Sequence, residues 1–206
     1  MPNKGQLITF EGGEGAGKST LISYIANRLE SSGYEVVQTR EPGGCPLSEK
    51  IRTLLFDNKP SKRTELLLML AARAEHVHTK ILPALNQGKI VLCDRFVHST
   101  LAYQGAGREM GIDAIKPLCT FAAEGVKPAL ALYLDVDPSI GLKRAHSRDE
   151  TNRMDGEEMA FHEKVRAAFT QMVQEGGLQR IDASLSIEEV KKAGWSIVEK
   201  VLLSWA

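Results

Sequence analysis

The chain has 206 residues, 43% of them hydrophobic and 25% charged, which is typical of one soluble globular domain with a sizeable core. Lysine plus arginine and aspartate plus glutamate each number 26, so the zero net charge argues against broad binding to nucleic acid or an anionic membrane. The three cysteines have no disulfide-framework or zinc spacing, which predicts a reducing, cytoplasmic setting. We find neither the apolar segment of a signal peptide nor a membrane-length apolar run.

Strand-like and helix-like segments alternate along the chain, which predicts an α/β fold with a parallel sheet covered by helices on both faces. Strands are predicted at 7–10, 34–39, 89–93, 129–134 and 178–181. Helices are predicted at 20–30, 48–55, 64–85, 96–104, 112–123, 139–145, 157–174 and 187–203. We expect a single domain over residues 1–206. The charged segment 146–156 fits either a lid between two helices or a solvated loop.

Residues 12–19, GGEGAGKS, match the phosphate-binding pattern G-x-x-x-x-G-K-[ST] and lie between a predicted strand and a predicted helix. Glycines let backbone N–H groups converge on an anion, and the helix N-terminus adds a positive partial charge. Lys18 is expected to reach the β- and γ-phosphates, and Ser19 to offer its hydroxyl to a magnesium ion. The sequence therefore predicts a nucleoside triphosphate site.

Polar residues follow the second and third predicted strands, where ligands bind in an open parallel sheet. Arg40 and Glu41 begin a Pro-Gly-Gly turn and are aimed at the cleft, unless the turn is only a surface feature with an incidental ion pair. Asp94 and Arg95 end the third strand. We favour a magnesium-shell role for Asp94 and phosphate binding for Arg95 over a pair that only stabilises the loop.

Two helical segments carry further candidates. Thr100, Tyr103 and Gln104 share a helix face and could contact a base edge and a sugar, or could simply face water. Arg73 lies in an apolar helix and needs a partner, which could be Glu65, Glu75 or a ligand. Arginines near the 146–156 segment, at 144, 148 and 153, could stabilise the charge on a transferred phosphoryl group.

Together these segments resemble the thymidylate kinase family over almost the whole chain. The resemblance rests on the phosphate loop with Glu14, on TREPGG at 39–44, DRF at 94–96 and STLAYQG at 99–105, and on an arginine-bearing lid at 148–153. It implies the five-stranded nucleoside monophosphate kinase form of the P-loop NTPase fold. It also implies transfer of the γ-phosphate of ATP to dTMP, giving dTDP and ADP for dTTP synthesis, with magnesium and in a homodimer.

The resemblance implies a role for each matching residue. Arg95 would hold the dTMP phosphate, and Glu14 would approach the 3′-hydroxyl. Tyr103 would lie under the sugar and disfavour a 2′-hydroxyl. The implied ATP-binding residues are Gly12, Gly13, Glu14, Gly15, Ala16, Gly17, Lys18, Ser19 and Thr20. The implied dTMP-binding residues are Glu14, Arg40, Glu41, Pro42, Met69, Arg73, Arg95, Ser99, Thr100, Tyr103 and Gln104, of which Arg73 would address a thymine carbonyl and Thr100 and Gln104 the thymine edge. Ser19 and Asp94 would hold the metal.

The implied catalytic residues are Lys18, Arg95, Arg148 and Arg153. Since the phosphate loop contains no arginine, the resemblance is to the bacterial subtype, in which the lid supplies the catalytic arginine. We expect the adenine near the turn at 182–184.

Two departures from the family pattern bear on the substrate. Met69 stands where family members often carry an aromatic residue that stacks on thymine, so weaker stacking is expected. Cys45 replaces a small hydroxyl residue, which leaves only a backbone role. Two alternatives stay open at this point: a kinase for another small deoxynucleotide or nucleoside, and a P-loop switch ATPase without a monophosphate acceptor.

Overall fold

The chain folds around a five-stranded parallel sheet, as seen in a computed structural model that describes residues 5–147 and 156–205, with 204 and 205 described by backbone alone. The elements in chain order are β1 (Gln6–Gly12), α1 (Lys18–Ser31), β2 (Val36–Arg40), α2 (Pro46–Asp57), α3 (Lys62–His76), a π-helical segment (Val77–Ile81), α4 (Leu82–Asn86), β3 (Ile90–Asp94), α5 (Val97–Thr100), a second π-helical segment (Leu101–Gly107), α6 (Ile112–Ala122), β4 (Leu130–Asp135), α7 (Pro138–His146), α8 (Met159–Gln174), β5 (Gln179–Asp182) and α9 (Ile187–Trp205). The α/β prediction is confirmed.

The strand order β2-β3-β1-β4-β5 buries the most apolar strands in the middle of the sheet. Strands β3 and β4 are near-continuous apolar runs, and β1, β3 and β4 are buried over almost their whole length, as expected for parallel strands covered on both faces. In the parallel register Arg40 of β2 pairs with Asp94 of β3, and Asp94 pairs with Phe10 of β1. The sheet therefore brings the ends of β1, β2 and β3 to one edge, beside the phosphate loop.

The predicted helix at 64–85 is not one continuous α-helix. Its α-helical part ends at His76, five π-helical residues follow, and α4 resumes at Leu82. Pro83 has no backbone N–H, and its ring collides with the carbonyl one turn earlier in a regular α-helix. The hydrogen-bond pattern is therefore interrupted in the turn before this proline.

The predicted helix at 96–104 is likewise mixed, because α5 is one turn long and passes into the π-helical segment at Leu101. π-Helical turns occur often at functional sites. Here the segment carries Tyr103 and Gln104, both of which line the cavity described below.

Within the described ranges, no helix combines the length and apolar character that crossing a membrane requires. Residues 148–155 of the predicted lid, including Arg148 and Arg153, lie outside the described residues. The elements that flank the segment are α7, which ends at His146, and α8, which begins at Met159.

Candidate active site

The phosphate loop joins β1 to α1, and it packs closely against α7 at a pair of glycines. Gly15 has a φ of 63°, and a Cβ there would lie 1.9 Å from the backbone oxygen of Gly141 in α7. A Cβ on Gly141 would in turn lie 2.4 Å from the backbone oxygen of Glu14. The loop therefore keeps its shape only because both positions are glycine.

Lys18 is buried at the start of α1, where its Nζ lies 3.1 Å from the Gly13 oxygen and 3.5 Å from that of Gly12. The same Nζ is 3.9 Å from Asp94 Oδ1. Burial and the nearby charge of Arg95 lower the pKa of Lys18. The ammonium group thus lies between the phosphate loop and the end of β3.

Asp94 and Ser19 fit a divalent cation. Asp94 Oδ1 is buried and accepts no hydrogen bond from the described residues, and Ser19 lines the same cavity at the start of α1. A carboxylate oxygen without a donor, near a hydroxyl, suits magnesium, which binds oxygen ligands and retains several waters.

A cavity of about 460 Å³ opens beside the phosphate loop, within the size range of small-molecule sites. Every residue that the sequence assigned to the acceptor nucleotide lines it, together with the loop from Glu14 onward. Gly12 and Gly13 do not line this cavity. The acceptor residues in its wall are Glu14, Arg40, Glu41, Pro42, Met69, Arg73, Arg95, Ser99, Thr100, Tyr103 and Gln104.

Arg95 and Glu14 form an ion pair at the phosphate-loop end of the cavity, with Nη2 and Oε1 2.7 Å apart. Tyr103 donates its hydroxyl to the same Glu14 oxygen at 2.9 Å, and its ring lies under the Arg95 guanidinium. Burial alone would raise the pKa of Glu14, but the charges of Arg95 and Lys18 outweigh it and lower this pKa to about 2. Arg95 also has a φ of 68°, a strained conformation for a residue with a side chain.

Arg73 is buried at the far end of the cavity, and its partner is Glu41, not Glu65 or Glu75 as considered from the sequence. Its Nε donates to Glu41 Oε2 at 2.8 Å, and its Nη2 donates to Thr100 Oγ1 at 2.9 Å. Its Nη1 is buried without a hydrogen-bond partner among the described residues. An unpaired buried donor is costly, so this nitrogen is suited to a ligand acceptor.

The Glu41 carboxylate is fixed in position beside Arg73, because its second oxygen also has a partner. His76 Nδ1 lies 3.0 Å from Glu41 Oε1, and His76 Nε2 lies 2.7 Å from Thr39 Oγ1.

Arg40 is half-exposed and pairs with Glu49 at 3.1 Å. The two consecutive residues of the turn therefore have separate partners: Arg40 forms an exposed ion pair with Glu49, as the surface-turn alternative allows, and Glu41 is buried against Arg73 and His76.

The turns that contain Ser99, Tyr103 and Gln104 place all three side chains against buried partners. Ser99 Oγ donates to Glu11 Oε2 at 2.5 Å. Gln104 Nε2 donates to Glu65 Oε1 at 2.9 Å. The solvent-facing interpretation of this segment is therefore wrong, since Thr100, Tyr103 and Gln104 are all buried.

Sequence reasoning missed two cavity residues on α2. Phe56 lines the cavity together with Met69, and the Arg52 guanidinium lies 4.7 Å from the centre of its ring. Arg52 is fixed by donating to the Pro42 oxygen at 2.9 Å. The helix predicted from the sequence ended at residue 55, so Phe56 fell outside it and was not considered as a site residue, whereas α2 continues to Asp57.

At the opposite side of the phosphate loop, Arg144 contacts the turn predicted to face the adenine. Its Nη1 donates to the Ala183 oxygen at 3.0 Å, and Asp182 caps the same turn through the backbone N–H of Ser184 at 2.9 Å. Arg144 is thus tied to this turn in the described structure.

Comparison with known proteins agrees with this site. The model of the family described as thymidylate kinase matches residues 10–193. Among its relatives, the thymidylate kinase of Finegoldia magna is 48% identical over 89% of this chain and 93% of its own length. The thymidylate kinase of Enterococcus faecalis is 45% identical over 96% and 97%. The solved thymidylate kinase of Ehrlichia chaffeensis has a TM-score of 0.78 at 33% identity, covering 95% and 98% of the two chains. The chain therefore belongs to the thymidylate kinase family.

Proposed function

We propose that this kinase, which transfers the γ-phosphate of ATP to dTMP and so produces dTDP and ADP, binds ATP on the phosphate loop and dTMP in the 460 Å³ cavity beside it. One observation carries the proposal: all the residues assigned to dTMP line a single cavity that also contains Lys18. A donor and an acceptor phosphate can meet there.

Arg95 holds the dTMP phosphate in this proposal. Its guanidinium is partly buried near Lys18 and Asp94, and a planar guanidinium binds phosphate oxygens in pairs. Glu14 binds Arg95 together with the dTMP phosphate. Glu14 also accepts a hydrogen bond from Tyr103, so its carboxylate lies beside the proposed position of the sugar. Tyr103 packs along the sugar and leaves little room for a 2′-hydroxyl.

The thymine lies at the far end of the cavity, between Arg73, Thr100 and Gln104. Arg73 Nη1, which has no hydrogen-bond acceptor among residues 5–147 and 156–205, donates to a thymine carbonyl. Phe56 and Met69 provide apolar surface for the ring. Glu41 keeps Arg73 in place from behind.

Ser19 and Asp94 would hold magnesium, which neutralises negative charge on the donor phosphates when bound. Lys18 contributes positive charge at the same phosphates. A dTMP phosphate oxygen attacks in line and is already ionised, so the protein supplies no general base. The work of these side chains is positioning and charge stabilisation.

The remaining positive charge comes from Arg148 and Arg153 in the lid segment at 146–156. The phosphate loop at 12–19 contains no arginine, so a further cation near the transferred phosphoryl group has to come from another part of the chain.

We also propose a homodimer. Leu66 is buried in the core, but its neighbour Leu67 on α3 is 57% exposed, and Phe121 on α6 is 86% exposed. The two helices pack against each other, and each carries an exposed apolar side chain. A second copy of the chain would cover them. The cytoplasmic location predicted from the cysteine content remains a prediction.

The test is ADP release from ATP and magnesium with dTMP, dUMP, dCMP, dGMP, AMP or no acceptor in parallel. Fast turnover with dTMP and slow turnover with dUMP would support the proposed cavity. Equal rates across acceptors would contradict the base-reading residues. ATP hydrolysis without any acceptor would favour the switch ATPase.

A further inference from the structure

Glu65 is a buried carboxylate that the reaction as described does not use. It lies on the first turn of α3 and is 1% exposed. Arg108, just beyond the second π-helical segment, donates to both of its oxygens, from Nε at 3.1 Å and from Nη2 at 3.2 Å. Arg108 also donates to Glu157 at the start of the region before α8. The Glu65 carboxylate is therefore fixed in position by a bidentate guanidinium.

The same carboxylate determines which end of the Gln104 amide faces the cavity. Gln104 Nε2 donates to Glu65 Oε1 at 2.9 Å. A carboxylate that is paired with a guanidinium accepts hydrogen bonds and has no proton to donate. The amide nitrogen must therefore face Glu65, and the amide oxygen is the group that Gln104 has left for a ligand.

Arg73 supplies a hydrogen-bond donor that complements the Gln104 acceptor. Its Nη1 is a buried donor with no hydrogen-bond partner in the part of the chain that the structure describes, while its Nε and Nη2 are occupied by Glu41 and Thr100. The cavity therefore offers a donor from Arg73 and an acceptor from Gln104. Thymine and uracil present a carbonyl beside an N3–H, which matches this pair, whereas cytosine presents an unprotonated N3.

We propose that Glu65, held by Arg108, is a positioning residue that selects bases with an N3–H by fixing the orientation of the Gln104 amide. This inference rests on the proposed placement of thymine against Gln104. In Glu65→Gln the new amide can donate as well as accept, so the Gln104 amide can turn and present its nitrogen to the base. Discrimination against cytosine then weakens.

The variants compared are Glu65→Gln, Gln104→Met, the double variant and the control Glu109→Gln, with kcat/KM measured for dTMP and dCMP. Glu109 forms an exposed ion pair with Lys164 beyond the same π-helical segment. We expect the dTMP to dCMP ratio to fall roughly tenfold or more in Glu65→Gln, because a wrongly paired buried polar group is costly. The same ratio of kcat/KM values should be unchanged in Glu109→Gln.

The double variant separates positioning from general support of the fold. If Glu65 acts through Gln104, adding Glu65→Gln to Gln104→Met changes the ratio by less than about twofold. An equal loss of kcat/KM for both nucleotides in Glu65→Gln would overturn the inference. If Gln104→Met leaves the kcat/KM for dTMP unchanged, the proposed placement of thymine against Gln104 is contradicted as well.

A measurement on the unaltered protein covers the case in which Glu65→Gln does not fold. Calorimetric titration with dTMP and with its N3-methyl derivative compares ligands that differ in the N3–H. Roughly tenfold or more weaker binding of the methylated nucleotide is expected, because the Gln104 oxygen loses its donor. Equal affinities would overturn the inference.

Discussion

Arg95 and Glu14 form an ion pair, with a nitrogen–oxygen separation of 2.7 Å, in the wall of the cavity that also contains Lys18. The pair joins a strained residue after β3 to the phosphate loop. The Arg95 guanidinium also donates to the Gly12 backbone oxygen at 2.8 Å. A phosphate that binds Arg95 must therefore share it with groups that already occupy it.

This pair predicts a pH dependence of stability. Glu14 has a pKa of about 2 in the folded chain and an ordinary value of 4.5 when unfolded. Between these values the unfolded chain binds a proton that the folded chain does not, so the free energy of unfolding falls as the pH falls through this window. In Glu14→Gln this contribution is absent. Urea denaturation from pH 7 to pH 3 should give a shallower slope for the variant, and parallel curves would contradict the assignment.

Arg73→Lys tests the free donor at the thymine end of the cavity. Lysine can still pair with Glu41 but cannot present a second, fixed N–H to the base. We expect the KM for dTMP to rise about tenfold or more, with a smaller change in kcat, because uniform binding is lost. Steady-state kinetics would be compared with Arg28→Lys, whose guanidinium lies over Trp195. A fall in kcat alone would argue against contact with the base.

Phe56 and Met69 both line the cavity, and we propose that together they take the place of the aromatic residue that family members often carry at position 69. Phe56→Leu should raise the KM for dTMP several-fold, about the worth of one lost aromatic contact. Met69→Phe should lower it if the added ring fits beside Phe56. Both values come from the same steady-state assay. An unchanged KM in Phe56→Leu would mean that the ring contacts only Arg52.

The lid arginines are tested one at a time. Arg148→Ala and Arg153→Ala each remove one guanidinium, and the residue that stabilises the transferred phosphoryl group should lower kcat far more than it raises the KM for dTMP. A change in KM alone, for both variants, would contradict a catalytic role for the lid. Arg144→Ala serves as the comparison, since that side chain binds the Ala183 oxygen.

The proposed dimer is tested with Phe121→Glu and Leu67→Glu. A charge on an apolar interface is costly, so either variant should shift the chain towards monomer in light scattering after size exclusion. Glu124→Gln, at the end of the same helical region, is the control and should not change the mass. A monomeric unaltered chain would contradict the proposal directly.

The location of the site could be predicted because it depends on local patterns. A parallel sheet places strand ends at one edge, so Arg40 and Asp94, found paired in register, were expected there. The partner of Arg73 could not be predicted in this way. Glu65 and Glu75 were its neighbours along the helix, but the fold packs α3 against the turn after β2 and supplies Glu41 instead.

The π-helical segments escaped prediction for a different reason. A search for residues repeating every 3.6 positions assigns both stretches to α-helix, since the wider turn has no side-chain signal of its own. The contact between Glu65 of α3 and Gln104 of the second π-helical segment joins residues 39 positions apart and could not be predicted either. Only the packing of α3 beside the second π-helical segment reveals it.

Gly15 and Gly141 have a consequence for anyone who alters this enzyme. Replacing a helical glycine by alanine is a standard way to stabilise a protein, because it restricts the unfolded chain and improves helix propensity. At Gly141 the added methyl group would press on the Glu14 oxygen instead. A search for thermostable variants should therefore leave α7 unchanged at this position, because a gain in helix propensity there would deform the phosphate loop.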